Sequence, residues 1–433
     1  MKKLTDEKEM SALQTPTRQP MAIPQRLKVL FVHNEYLLPG GEDEVVDREN
    51  QLLLQAGHLV TQYRRRNTEI NDYNLMKKAT LPFRTVWARD SCRELESLLE
   101  SGCPDIVHFH NTFPLISPAA YYTCKRFGVP VVQSLYNPRL LCPGATLRRK
   151  GRVCEDCIGR TVPWPGVIHA CYRSSRVQSA VTAAMLAFHN LARTWEKLVD
   201  VYITATEFYR GKYIAGGLPA DKIAVKPHFV VPEPTPKESF GDYALYIGRL
   251  TAEKGVPTLL RAWRGLDQIP LKVRGEGLLY DEVCRFSDSR PFTVHLLPRI
   301  SRDELTSVLK GSRFLVWPSE GYYETFGLVA IESFACGVPV ITTGLGAMGG
   351  IVEDGRTGLH FKPGDPVDLA AKVEWAWSHP EKMREMGVAA RAEYEAKYTA
   401  ERNYKMLMAI YERALCRRKD AAEQSANVVT AQN

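Results

Sequence analysis

The feature that most constrains this chain is an alternation that runs, stops and runs again. Short strand-like stretches, several of them apolar throughout, alternate with longer stretches of helical character. Residues 27–32, 59–63, 105–110, 129–133 and 201–204 read as strands of a first run, and residues 243–247, 271–274, 292–296, 314–316 and 338–342 as strands of a second. Strands apolar on both sides must be covered on both sides, which demands a parallel sheet between layers of helices. A helical stretch from about Asp43 to Ala56, stopped by Gly57, supplies the first such cover. Between the runs, Pro232, Pro234 and Pro236 stiffen the chain into a linker.

The expected fold is therefore α/β, with two Rossmann-like doubly wound domains facing across a cleft. The first spans 27–232 and carries an insert at 137–176; a linker covers 233–240 and the second domain 241–399. A helix at 400–418 closes the fold, and polar tails at 1–26 and 419–433 are expected to be disordered. In such folds ligands bind beyond the carboxyl ends of the strands. With 45% hydrophobic and 24% charged residues there is material for two cores. No apolar run approaches the ~20 residues that span a bilayer, and the first residues lack the apolar core of a secretory signal. The expectation is a cytoplasmic protein.

Two segments of the second run carry chemistry. In Gly248-Arg249-Leu250-Thr251-Ala252-Glu253-Lys254-Gly255 a strand gives way to a helix. Backbone N–H groups and positive dipole gather at such a junction. Arg249 and Lys254 add two charges there, the combination a diphosphate needs. The second segment, 318–332, places Glu324 in a loop and Glu332 about two turns inside the following helix. Gly327 between them lets backbone amides approach a ligand, and carboxylates accept from paired sugar hydroxyls.

From about Leu27 to Tyr411 the chain resembles the family 4 retaining glycosyltransferases of the GT-B fold. The resemblance rests on Gly40-Gly41, on the two segments above, on Gly275-Glu276-Gly277, and on Asp354-Gly355 with Thr357-Gly358. It implies a nucleotide-diphosphate-sugar donor, and a saccharide or lipid-linked saccharide acceptor in cell-surface polysaccharide assembly. By resemblance, Arg249 and Lys254 hold the diphosphate, Glu332 the ribose, and Glu324 the transferred sugar. Phe326, Gly327 and Leu328 present backbone amides, the Gly40-Gly41 loop closes over the site, Gly275 lies beside it, and the last helix crosses back to the first domain. The family often places a His after the fourth strand to contact the sugar; here Tyr136 stands there, a phenol that is not a base near neutral pH. His108 and His110, at the end of the preceding strand, do not replace it.

The donor machinery implies no catalytic metal, since no Asp-x-Asp pair is present to hold one on the donor. A structural metal is another matter. Cys142, Cys154, Cys157 and Cys171 form a compact set in the insert, suited to a closed tetrahedral zinc site, with free thiols as the alternative. The insert is expected at the mouth of the acceptor cleft. Its neighbourhood is basic: Arg139, Arg148, Arg149, Lys150, Arg152, Arg160, Arg173 and Arg176 stand against Glu155 and Asp156 alone, in a chain of net charge +8. Such a segment suits phosphate or a peripheral contact with anionic lipid at the inner face of a membrane; no nucleic-acid module accompanies it. Two other readings are a sugar-nucleotide epimerase of the same fold and a non-catalytic partner subunit.

Overall fold

The computed structural model describes residues 26–37, 40–239 and 241–431; the expected tail at 1–25 lies outside them. The first half runs β1 (Lys28–Glu35), α1 (Gly41–Gln55), β2 (Leu59–Arg66), α2 (Leu75–Val86), α3 (Arg89–Gly102), β3 (Ile106–Asn111), α4 (Ala120–Arg126) and β4 (Val131–Leu135). The insert follows, with a two-residue hairpin of β5 (Arg148–Arg149) and β6 (Arg152–Val153). Then come α5 (Trp164–Ile168), α6 (Arg176–Leu191), α7 (Thr194–Leu198), β7 (Val201–Thr204), α8 (Glu207–Ala215) and β8 (Ile223–Val225). The second half runs β9 (Tyr243–Ile247), α9 (Val256–Ala262), β10 (Leu271–Arg274), α10 (Tyr280–Asp288), β11 (Val294–Leu296), α11 (Arg302–Lys310) and β12 (Ser312–Trp317). It continues with α12 (Leu328–Ala335), β13 (Val340–Thr342), α13 (Ala347–Ile351), β14 (Gly358–His360), α14 (Pro366–Ser378), α15 (Pro380–Lys397) and α16 (Ala400–Ala431).

Two six-stranded parallel sheets result, in the orders β2-β1-β3-β4-β7-β8 and β11-β10-β9-β12-β13-β14. The two doubly wound domains expected from the alternation are present. Apolar-throughout strands explain why. In β1, Leu30 and Val32 enter one core while Val29 and Phe31 enter the core on the opposite face. In β12, Phe314 and Val316 face one core and Leu315 and Trp317 the other. Each fully buried aliphatic or aromatic side chain contributes about 1.5–3 kcal/mol, so both faces need covers.

The cover on the Val29–Phe31 side of the first sheet comes from the end of the chain. Leu407, Ile410, Tyr411 and Ala414 of α16 enter that core. Buried polar groups fix the same helix. His58 bonds Tyr404 Oη at 2.8 Å and His108 Nδ1 bonds Tyr411 Oη at 2.9 Å. Lys226 Nζ lies 2.6 Å from Glu49 Oε1 and 3.1 Å from Asn403 Oδ1, with both members of the ion pair buried. The helix departs from expectation in length: it runs to Ala431, not 418, so the stretch 419–431 continues it.

Candidate active site

In the second sheet the chain leaves β9 toward β10 on one side, and leaves β12 toward β13 on the other. The crevice between two such strands is where doubly wound sheets bind ligands, and the loops after β9 and β12 both end there. Lys254, at the end of the short turn after β9, makes an ion pair with Glu324 in the loop after β12. Ser319 Oγ donates to the same carboxylate oxygen at 2.7 Å, and Trp317 Nε1 reaches it at 3.4 Å. Burial works to raise the Glu324 pKa, but the Lys254 charge and the hydrogen bonds outweigh it and hold the carboxyl below its ordinary range. The group is an anchored anion. Arg249 is exposed at the same strand end.

Glycine makes this junction possible at two points. A Cβ on Gly275 would meet the Gly248 carbonyl oxygen at 2.0 Å, so the loops after β9 and β10 touch through backbone. Gly327 has φ +124°, and a Cβ there would strike the Trp317 ring at 2.1 Å. It is the N-cap of α12 and offers no side-chain cap. The first amides of α12 therefore remain available to a ligand. Phe326 buries its ring, while Gly327 and Leu328 are partly exposed.

Glu332 lies one turn into α12, closer to the helix start than the expected two. Its Oε1 is 3.1 Å from Arg48 of α1 and 3.4 Å from Arg302 of α11. Glu44 bridges the same two arginines at 2.8 and 2.9 Å, so the cluster spans both domains. Burial and the Glu44 charge raise the Glu332 carboxyl to about 7, against the pull of Arg302. Beside it a cleft of about 580 Å³ is lined by Glu44, Arg274, Arg299, Arg302 and Glu332. The three arginines were not singled out from sequence. Nothing local marks them: Arg274 ends β10, Arg299 lies between β11 and α11, and Arg302 opens α11.

The first domain meets this site at α1. A Cβ on Gly41 would lie 3.3 Å from Leu328, so the start of α1 sits on the start of α12. Tyr136 is reached less directly. Its hydroxyl bonds His110 Nδ1 at 2.9 Å, and its ring stacks between His110 and His228 at 5.9 and 5.7 Å. His228 in turn meets the edge of Phe326 at 4.8 Å. Burial first, then the Glu49 and Glu42 charges, keeps the phenol protonated. His108 has both nitrogens bonded, to Tyr411 and Ser134, and is a core residue.

A further group went unread in the sequence. Asn137 Nδ2 donates to Tyr36 Oη at 3.0 Å and to Glu42 Oε2 at 3.3 Å. Burial and Asp43 raise the Glu42 carboxyl to about 8, and its Oε1 is buried without a partner. Its only sequence signal was its place directly after Gly40-Gly41.

The four insert thiols lie near one another, but no three of them reach the mutual 4.8 Å spacing of a metal-ligand group. The Cys157 thiol is pushed up to about 12 by burial and by the neighbouring thiols Cys142, Cys171 and Cys154. Gly144 lies so close to Cys171 that a Cβ would meet its Cβ at 3.4 Å, and none of the four is in a disulfide. Among the described residues, Glu49, His108 and His110 are the group whose ligand atoms lie mutually within 4.8 Å. There the Lys226 ammonium holds Glu49 Oε1 at 2.6 Å, while Glu49 Oε2 and His110 Nε2 are buried without partners. The insert also reaches the second domain. A Cβ on Gly321 would lie 2.2 Å from the Gly151 carbonyl oxygen, Arg148 approaches Glu253 at 3.9 Å, and Lys212, which pairs with Glu155 at 2.5 Å, lies over the Tyr323 ring. It therefore abuts the loop that carries Glu324.

Residues 232–393 match the family described as Glycosyl transferases group 1. An uncharacterised glycosyltransferase of Methanocaldococcus jannaschii is 34% identical over 40% of this chain and 49% of its own length, so the match spans about half of that relative. The D-inositol 3-phosphate glycosyltransferase of Mycolicibacterium smegmatis is 26% identical over 81% of this chain and 76% of its own. Among solved structures, Anabaena HepE in complex with UDP and glucose superposes with a TM-score of 0.61 at 15% identity, covering 88% of this chain and 98% of that one. Sucrose-phosphate synthase of Thermosynechococcus elongatus gives 0.64 at 18% identity, over 90% and 100%. Residues 232–393 thus resemble a group 1 glycosyl transferase domain, and the chain as a whole shares the two-domain fold of these solved structures.

Proposed function

We propose that the protein is a retaining glycosyltransferase that moves a sugar from a nucleotide-diphosphate donor onto a saccharide or lipid-linked saccharide, in cell-surface polysaccharide assembly. The observation that carries the reading is the Lys254–Glu324 pair at the β9/β12 crevice, beside the uncapped start of α12. Lys254 keeps N–H bonds free for phosphate after binding Glu324, and Arg249 and the α12 amides complete an anion site. Glu324 accepts from hydroxyls of the sugar. Glu332 accepts from the ribose, with Arg299 and Arg302 lining the cleft around the nucleotide. The bond from anomeric carbon to phosphate oxygen breaks and a bond to the acceptor oxygen forms. The acceptor's proton passes to the departing diphosphate, because Tyr136 is held as a phenol and cannot take it. The HepE complex with UDP and glucose supports a nucleotide-sugar donor by relation.

Fixed cations and dipole stabilise the leaving group in place of a divalent metal. The four insert thiols would hold a structural zinc, with no open position for water. A panel of nucleotide sugars screened by thermal shift tests the reading, since a true donor raises the melting temperature by mass action. Transfer to acceptor should then persist during brief exposure to EDTA. Turnover of donor without acceptor would point instead to an epimerase, and loss of turnover restored by magnesium would overturn the metal-independent step.

A further inference from the structure

Strand β2 forms one edge of the first sheet, and at its carboxyl end a groove of about 980 Å³ opens between α2, the start of α3 and α6. Part of its lining is an ion-paired array. Arg65 Nε bonds the two Glu69 carboxylate oxygens at 3.1 and 2.9 Å, Arg65 Nη1 bonds Asp90 Oδ2 at 3.2 Å, and Arg84 pairs with that same Asp90 oxygen. Arg65 Nη2 also reaches Tyr73 Oη at 3.2 Å. Two guanidinium groups and two carboxylates are thereby held in fixed orientations, and Arg84 Nε is buried without a partner. The rest of the lining is aromatic. Phe83 of α2 is 77% exposed, Phe188 of α6 45% and Trp87 38%. Trp87 meets the edge of Phe188 at 6.1 Å, so the rings adjoin. Isolated exposed apolar residues are ordinary; several large rings grouped in one groove mark a binding surface.

The two features together select the ligand. A hydrocarbon chain laid on the rings would strip water from the charged array and return no hydrogen bonds, which is costly. Hydroxyl groups both donate and accept, so they can add to the carboxylate lone pairs and the guanidinium N–H groups while the array stays whole. A pyranose ring carries such hydroxyls at its rim and C–H groups on its faces, and those faces lie on aromatic rings. Oriented polar groups beside aromatic side chains in a groove of this size suit a saccharide. Lys77 and Arg89 also line the groove, so sugars bearing a carboxylate fit as well as neutral ones. The groove neighbours the transfer crevice without belonging to it. Asn34 of β1 pairs in register with Arg65 and donates to Asn67 Oδ1 at 2.9 Å, and β1 precedes Gly40-Gly41 in the chain. At the end of α2, Val86 lines the groove while Thr85 lines the inner cavity that Tyr136 and Asn137 share.

We propose that this groove binds a saccharide chain, with Phe83, Trp87 and Phe188 as platforms for the sugar rings and Arg65, Glu69, Arg84 and Asp90 as partners of the hydroxyls. That the bound chain is the acceptor, gripped at units remote from its reacting end, rests on the transferase reading; the binding itself does not, and its test uses neither donor nor turnover. The labelled full chain is applied to an array of immobilised oligosaccharides, neutral and uronate-bearing. Wild type should be retained on a subset of them, and Lys254→Ala, altered only in the transfer crevice, should be retained equally. Phe83→Ala and Trp87→Ala should each weaken the apparent affinity about tenfold, and Trp87→Phe, which keeps a ring, should recover most of the loss. The Phe83 side chain stands mainly in water, so Phe83→Ala should leave the melting temperature unchanged and a folding defect would not explain its effect. If wild type is retained on no oligosaccharide, or the two alanine variants bind as wild type does, the proposal fails. If Lys254→Ala abolishes retention, the saccharide sits in the transfer crevice and the proposal is overturned. If light scattering shows a dimer that Phe83→Ala dissociates, and no oligosaccharide is retained, the groove joins two copies of this chain and the proposal is likewise overturned. Retention that depends on Phe83 and Trp87, in a protein that turns over no nucleotide sugar, would uphold the groove and sink the transferase reading alone.

Discussion

The molecule holds two Lys–Glu pairs of the same chemistry in different settings. Lys226–Glu49 lies inside the first domain, both side chains 1% exposed, and Asn403 of α16 completes it. Lys254–Glu324 lies at the carboxyl end of the second sheet, 19% and 10% exposed, with Arg249 and the uncapped α12 beside it. The first pair is enclosed by the first domain and α16, where Lys226 is shared between Glu49 and Asn403. The second faces a crevice, where a lysine with spare donors can serve an incoming anion. Position relative to the strand ends, not residue type, separates a structural ion pair from a chemical one.

Substitutions that exchange the two roles test this. The largest expected effect is Lys226→Met, which leaves the Glu49 carboxylate buried and unpaired and should cost about 3–5 kcal/mol of stability. Chemical denaturation measures it, and turnover per folded molecule should be retained; a large loss of turnover at unchanged stability would erase the distinction. Lys254→Ala should do the reverse. Transfer rate should fall roughly 100- to 1000-fold, while Ser319 and Trp317 go on donating to the Glu324 carboxylate and limit the loss of melting temperature.

Arg249→Ala sharpens the same side of the comparison. Loss of one charge-assisted hydrogen bond, about 1.5–3 kcal/mol, should weaken nucleotide-sugar binding by about tenfold or more in calorimetric titration; unchanged affinity would remove Arg249 from the diphosphate site. Cys157→Ser probes the insert. Because Gly151 and Arg148 abut Gly321 and Glu253, loosening the insert should weaken donor binding several-fold as well as acceptor use. Metal analysis of reduced protein should find one zinc per wild-type chain and less in the variant. Donor binding untouched by the substitution would confine the insert to the acceptor side.

The smallest effect concerns pH. Glu42 has an ordinary value of 4.5 and is raised to about 8 in the fold. Between those values the unfolded chain releases the proton that the folded chain keeps, so this group makes stability fall as pH rises through the window. Glu42→Gln should flatten that part of the melting-temperature profile; an identical slope in the variant would show that Glu42 is not the group responsible.

Much of the β9/β12 crevice was legible because its elements are local. Glu324, Gly327 and Glu332 belong to one loop and helix start, and Arg249 and Lys254 to one strand exit, so their order along the chain nearly equals their order in space. The reading slipped where an end had to be judged without its partner. The last helix continues to Ala431. Strand β11 begins at Val294, two residues later than its apolar run.

The sequence by itself determined the architecture, because strands apolar on both faces admit few solutions besides a covered parallel sheet. It also determined which strand exits carry charge. Only the tertiary structure decided that Arg274, Arg299 and Arg302 share a cleft with Glu332. It alone placed Glu42 beside Asn137, brought the insert against the loop of Glu324, and set Phe83 of α2 and Phe188 of α6 along one groove. Periodicity records which side of an element is apolar. Which distant elements come to lie beside that side depends on sheet order and on long-range packing, and no local pattern encodes either.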